Sequence, residues 1–319
     1  MSDIATAEAR SAEPGPPRRP ARTLRRRLAS FQPLLWLGPA IALIAFVVIW
    51  PIVTMIQTSF QNIDPYGIDI GSAGWRNFTQ IFHNPVLPGI LVRTLVWVVS
   101  AVSLTMLISL GLAALFNQRF PGRRVARWAI IAPWAASVMA TALIYRWMLA
   151  PDSGVIYLFL HQIGLVSHFN EQTPDWLGQP DVAMICMIAV AVFVSLPFTT
   201  YVLLAGLQAI PGDIYEAARV DGSSRWYTYR RITLPLLRPA FLVGAVINLM
   251  NVFNSFPIIW EMTRGGADYN MATSTVFMYD LKTINIGQSA AMAIINFALV
   301  IVIVVVFLRV NRWNNQEAR

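Results

Sequence analysis

The sequence predicts an all-α, polytopic membrane protein with six transmembrane helices and a short pair of helices on its cytoplasmic face. Three observations carry this reading. Six apolar stretches reach the length of a bilayer crossing, the basic residues fall in short blocks between them, and 56% of the 319 residues are hydrophobic against 13% charged. A mean hydropathy of +0.55 excludes an ordinary soluble globule. The net charge of +8 reflects where arginines sit between spans and not a nucleic-acid surface.

A hydrocarbon core of roughly 30 Å needs about 20 helical residues. The expected spans run over Leu34–Ile56, Leu91–Phe116, Trp128–Leu149, Val182–Leu204, Pro235–Ile258 and Ala290–Leu308. Residues 1–30, rich in Ala, Pro and Arg, form an expected disordered cytoplasmic arm ahead of a six-span domain over 31–313, and residues 314–319 form an expected cytoplasmic tail. The first apolar stretch exceeds a signal-peptide core and lacks a small-residue cleavage site, so it reads as a retained span.

Orientation follows from the arginines. Arg119, Arg123, Arg124 and Arg127 follow the second span. Arg219, Arg225, Arg230, Arg231 and Arg238 follow the fourth, and Arg309, Arg312 and Arg319 follow the sixth. The outer segments hold only Arg76, Arg93, Arg146, Arg264 and Lys282 of the 24 basic residues. Both termini are therefore expected on the cytoplasmic side of a bacterial inner membrane. The lone Cys186 lies in an apolar run and excludes an intrachain disulfide. His83, His161 and His168 show no metal-ligand spacing, and the Asn77-Phe78-Thr79 triplet reads as a coincidental glycosylation match.

Between the fourth and fifth spans the chain reads as helix, break, helix over 211–235. Asp213 and Glu216 have capping-box spacing, Gly222 suits a left-handed helix end, Ser223 or Ser224 suits the next N-cap, and Pro235 suits the first turn of the following span. Four arginines, with Arg238 just beyond, and the aromatic residues Tyr215, Trp226, Tyr227 and Tyr229 give this hairpin the composition of a docking surface.

The hairpin resembles the EAA loop of bacterial ABC importer permeases: Glu-Ala-Ala, three residues, Gly, nine residues, Ile-x-Leu-Pro. Glu216, Ala217, Ala218, Gly222, Ile232, Leu234 and Pro235 fill its fixed positions, with Asp221 ahead of the glycine. Leu203–Pro211, Trp75–Phe78, Asp175–Leu177 and Phe253-Asn254 with Gly265-Gly266 are similar to landmarks of the sugar-type members, although Ala267 stands where that family often has proline. The resemblance implies a type I importer permease fold and four kinds of partner beyond membrane lipid: a second permease chain, two ATPase subunits, an extracytoplasmic solute-binding protein, and a sugar or oligosaccharide as cargo. It also implies that Glu216 makes a charged ATPase contact, Gly222 permits the turn, and Ala217 and Ala218 allow close approach. No Gly-rich loop ending in Gly-Lys-Ser/Thr is present, so ATP and magnesium belong to the partner subunits and this chain is expected to be no enzyme and to bind no cofactor itself.

Solute contact is expected from the fifth span, where Asn248, Asn251 and Ser255 share a helical face with Asn254 nearby. Ser195, Thr199 and Thr200 of the fourth span and Asn296 of the sixth are weaker candidates, since hydroxyls bond their own helix and amides bond neighbouring helices. Arg146 reads as an interfacial anchor or a contact to a solute or binding-protein carboxylate. A glycerol-phosphate or other small-solute importer is the alternative. A secondary transporter is a more distant one, disfavoured because the spans carry no midplane Asp or Glu.

Overall fold

The computed structural model describes residues 37–151, 153–164 and 175–313. The N-terminal arm, His168 and the C-terminal tail lie outside them. The chain divides into two compact units, before and after the Thr54–Met55 bond. Helix α1, Leu37–Ser59, contains one π-turn at Ala45–Ile49. A small antiparallel hairpin follows, β1 (Gln61–Ile63) and β2 (Asp69–Ser72), pairing Gln61 with Ser72 and Ile63 with Asp69. Its turn is closed by the Asp64 carboxylate, which accepts from the amides of Tyr66 and Ile68 at 3.0 and 2.7 Å.

Helix α2 (Arg76–Phe82) leads to α3 (Leu87–Asn117). Asn77 is buried, and its amide donates to the carbonyls of Ser59 and Gln61 at 2.8 and 2.9 Å, so it locks α2 onto the β-hairpin. The centre of the molecule is α3 packed along α7 (Pro180–Gln208), with α10 (Leu234–Phe253) against both. Small residues permit this approach: an added Cβ at Gly206 of α7 would run into Ala240 and Leu237 of α10. Trp97, Met187, Ala191, Leu249 and Phe253 form the shared core.

Two expected spans are broken. The third, Trp128–Leu149, is two helices, α4 (Arg123–Trp134) and α5 (Val138–Met148), separated by Ala135–Ser137 with Ser137 extended. Helix α4 runs on through Pro133 to Trp134, where Ala135 N–H closes it on Ala132 O at 3.3 Å. Five segments of the described residues are long and apolar enough to cross a membrane; this divided stretch is not among them.

The fifth span breaks at Asn254 and Ser255, between α10 and α11 (Phe256–Thr263). Phe256 N–H, which a continuous helix would give to Val252 O, donates to Asn254 O at 2.8 Å, and Pro257 has no amide for the Phe253 carbonyl. The released Val252 carbonyl instead accepts from Ser255 N–H at 3.2 Å and from the Trp97 indole at 2.9 Å. The remaining helices are α6 (Val155–Gln162), α8 (Gly212–Val220), α9 (Arg225–Thr228), α12 (Ser274–Leu281) and α13 (Ile286–Trp313).

The short helix α12 packs on α13. Arg93 reaches across from α3, donating to the Tyr269 and Ala272 carbonyls at 2.7 and 3.3 Å. Burial raises the pKa of Asp280, and burial with the nearby Asp280 charge raises that of Tyr269.

Candidate functional site

The 211–235 hairpin forms as helix, turn and helix. Its first helix, α8, ends in a Schellman closure: Ser223 N–H donates to Ala218 O at 3.0 Å and Gly222 N–H to Arg219 O at 3.1 Å, with Gly222 at φ +74°. Ser224 caps α9 by accepting from Tyr227 N–H at 3.3 Å. The expected capping box does not form. Pro211 occupies the N-cap position, so Asp213 lies inside the first turn, where its charge still complements the helix dipole.

Glu216, Ala217 and Asp221 are exposed, as are Trp226 and Tyr227. Ala218 instead is buried within the chain, so the close approach it allows is to its own bundle. Tyr215 and Tyr229 are half-buried and not exposed as the composition suggests, and the Tyr215 hydroxyl lies 3.4 Å from Thr233 Oγ1.

Ile232, Leu234 and Pro235 occupy the passage from α9 into α10. A π-turn over Tyr229–Thr233 joins the two, and Leu234 N–H bonds back to Tyr229 O. The wider turn lets the helix absorb Pro235, which has no amide to give. The second arm of the hairpin is thereby helically continuous with α10. Its first arm meets α7 through the non-helical Ile210-Pro211 link.

A cavity of about 510 Å³ lies between α7, α10 and the two breaks. Ser195 and Thr199 line it from α7, Asn248 and Asn251 from α10, Asn254 and Ser255 from the fifth-span break, and Trp134 and Val138 from the edges of the third-span break. The spacing argument that grouped Asn248, Asn251 and Ser255 assumed one helix. They converge because the helix stops, which turns Asn254 and Ser255 into the cavity rim.

Asn248 is 1% exposed, and neither its Nδ2 nor its Oδ1 has a hydrogen-bond partner. Thr199 donates to Ser195 O at 3.0 Å and Asn254 to Met250 O at 2.9 Å, so these two are satisfied within their own helices. Thr200 is buried beside them without a partner for its hydroxyl but does not line the cavity. Asn296 lies elsewhere, donating from α13 to Ser274 O at 3.2 Å and so pinning the start of α12. The cavity lining carries no charged side chain.

Glu261, just beyond the expected end of the fifth span, was not foreseen as a site residue. It is buried, pairs with Arg264 at 3.5 Å, and its carbonyl accepts from Arg146 at 3.2 Å. The three-residue spacing of Glu261 and Arg264 on one helix was the available signal.

These features fit a helical membrane permease: broken helices around an uncharged, largely apolar cavity that carries several amide and hydroxyl side chains, with an exposed hairpin continuous with one of them. Residues 105–319 match the model of the family described as binding-protein-dependent transport system inner membrane component, and the chain belongs to that family. A probable ABC transporter permease protein of Brucella suis biovar 1 (strain 1330) is 35% identical, covering 89% of this chain and 98% of the relative. The trehalose/maltose transport system permease protein MalF of Thermococcus litoralis is 30% identical, over 88% of this chain and 93% of the relative. The fold is shared with a bacterial ABC transporter involved in the import of the acidic polysaccharide alginate, at a TM-score of 0.76 and 21% identity, covering 90% of this chain and 98% of that one. The chain is thus a transport subunit, a multi-pass membrane permease of a binding-protein-dependent importer.

Proposed function

We propose that this permease carries a sugar or a related polyhydroxylated solute, forms half of the pathway with a second permease chain, and couples to two ATPase subunits through the 211–235 hairpin. The observation that carries the solute assignment is Asn248, a buried amide with both ends unpaired at the wall of an uncharged cavity. Buried amides are paired in finished structures, and a hydroxyl-rich solute supplies a donor and an acceptor together. The sugar-transporting relative named above supports the same class.

For coupling, the exposed Glu216 and the Gly222 turn supply a rigid surface, while ATP and magnesium belong to the partner subunits. The third stretch crosses the membrane as the paired helices α4 and α5, which makes six crossings and returns both termini to the cytoplasm, in keeping with the arginine distribution.

Gentle purification of the tagged chain with mass spectrometry of its companions tests the assembly. An ATPase, a second permease and a solute-binding protein are expected; recovery of the chain alone under crosslinking refutes it. Glu216→Ala is expected to weaken ATPase attachment and transport-linked hydrolysis without loss of fold. Asn251→Leu is expected to change transport with the assembly intact, and unchanged kinetics across several sugars would remove it from the pathway.

A further inference from the structure

We propose that a second, outer station in this permease reads an acidic group on the solute, so that the cargo class is an acidic sugar or sugar derivative. The proposal rests on the solute-transport reading above and narrows it. A cavity of about 560 Å³ is lined by Arg146 and Trp147 of α5, by Asp175 and Gly178, and by Met262, Thr263 and Arg264 at the end of α11. The same two helices line the uncharged cavity at Val138, Pro257 and Ile258. At about 1.5 Å per residue, Arg146 stands about 12 Å along α5 from Val138, and Arg264 about 9 Å along α11 from Ile258. The two cavities therefore follow one another along a pair of packed helices.

The outer cavity holds the chemistry of acidic-sugar recognition. Among the described residues Arg146 makes no ion pair; one Nη donates to the Glu261 carbonyl at 3.2 Å, which holds the guanidinium while its other donors stay free. Arg264 is fixed differently, by the buried Glu261 carboxylate at 3.5 Å and by the Trp260 ring, whose centroid lies 4.9 Å from its guanidinium carbon.

Glu261 thus positions both arginines, one through its side chain and one through its main chain. The Arg264 backbone is left-handed at φ 56° and closes α11 as its C-cap, its N–H donating to Trp260 O. Asp175 accepts from Gly178 N–H through Oδ1 at 2.8 Å and faces the same space with Oδ2 available for solute hydroxyls. The exposed Trp147 indole presents a flat apolar face to a pyranose ring. Glu261 balances Arg264 and Asp175 balances Arg146 in formal charge, so an acid is told from a neutral sugar by the unpaired donor fork of Arg146 and not by net charge.

Site-directed labelling in the assembled transporter tests this. In a Cys186→Ser background, Ala150→Cys places a thiol in the outer cavity, to be labelled by anionic and cationic methanethiosulfonate reagents at matched ionic strength. Arg146→Gln, which removes one positive charge from the cavity, is expected to lower the ratio of anionic to cationic labelling rates about fivefold. D-glucuronate is expected to slow labelling where D-glucose does not, with the difference abolished in Arg146→Gln and partly retained in Arg146→Lys.

Equal protection by both sugars, or by neither, overturns the acidic-group assignment while leaving the inner cavity and the transport reading intact. Protection by a solute-binding protein alone overturns it too, by making the arginines a protein-docking contact.

Discussion

Replacing Asn248 by leucine separates a solute-binding amide from a structural one. Both amide atoms are buried without partners, so the free protein bears their desolvation, about 1–3 kcal/mol for each unsatisfied group. Leucine is close in shape and removes that cost, so Asn248→Leu is expected to keep or raise the thermal midpoint of the assembled transporter. A solute that pairs with both ends gains about 0.5–1.5 kcal/mol per bond, or about 1–3 kcal/mol in all. At about 1.4 kcal/mol per decade, the substitution is expected to raise the half-saturating solute concentration at the membrane step by about five- to 150-fold. Transport into proteoliposomes, with solute-binding protein held saturating, measures this alongside a thermal melt. A fall in midpoint with unchanged transport would refute the reasoning and make Asn248 a bridge to the companion chain.

Other consequences are local and equally measurable. Gly222→Val forces a β-branched residue into the left-handed region at φ +74°, at a cost of about 1–2 kcal/mol or more, and is expected to loosen ATPase co-purification; Gly222→Asn is expected to be tolerated. Trp97→Phe removes the indole bond to the Val252 carbonyl and is expected to destabilise the fifth-span break by about 1–3 kcal/mol, seen as faster hydrogen exchange at 252–256. Because burial raises the folded pKa of Asp280, the fold binds its proton more tightly than the unfolded chain does. Stability is then expected to grow as pH falls from neutral through that raised value, and Asp280→Asn is expected to flatten this dependence in thermal melts. A glycine pair at Leu242 and Val243 costs about 2 kcal/mol of helix and is expected to uncouple ATP hydrolysis from transport, whereas Ile210→Gly, in a link that is already non-helical, is expected to change little.

What the sequence made legible was whatever rests on length, charge blocks and local spacing. The presence of α3, α7 and α13, the helix-turn-helix hairpin, the Gly222 turn and the Ser224 cap follow from such signals, although these three helices run past their expected ends by one to five residues. The two broken spans were hidden because a proline within an apolar run is compatible with either a continuous or an interrupted membrane helix, and packing decides between them. At Ser255 the deciding group is Trp97, distant in sequence, whose indole takes the carbonyl that the break releases. The capping box failed because Pro211 shifts the helix start by two residues. Glu261 escaped notice because hydropathy ended the fifth span at Ile258. Its burial depends on Arg264 beside it and on the packing of α5.

Under the coupling proposed above, the breaks and the hairpin form one transmission path. From Arg225 to Asn248 the chain is helical throughout, about 35 Å at 1.5 Å per residue, with the Tyr229–Thr233 π-turn absorbing Pro235 inside the helix. A displacement imposed on α9 therefore reaches the cavity wall without crossing a loop. The path through α7 differs, since Ile210 and Pro211 interrupt it before the hairpin begins. Beyond Asn251 the continuous helix ends at Asn254 and Ser255, so motion of α10 changes the rim of the cavity against α11. The outer station, held by α5 and α11, lies past that break. A hinge at these element ends thus falls within the lining of the inner cavity, and movement of the hairpin is expected to alter the inner cavity first.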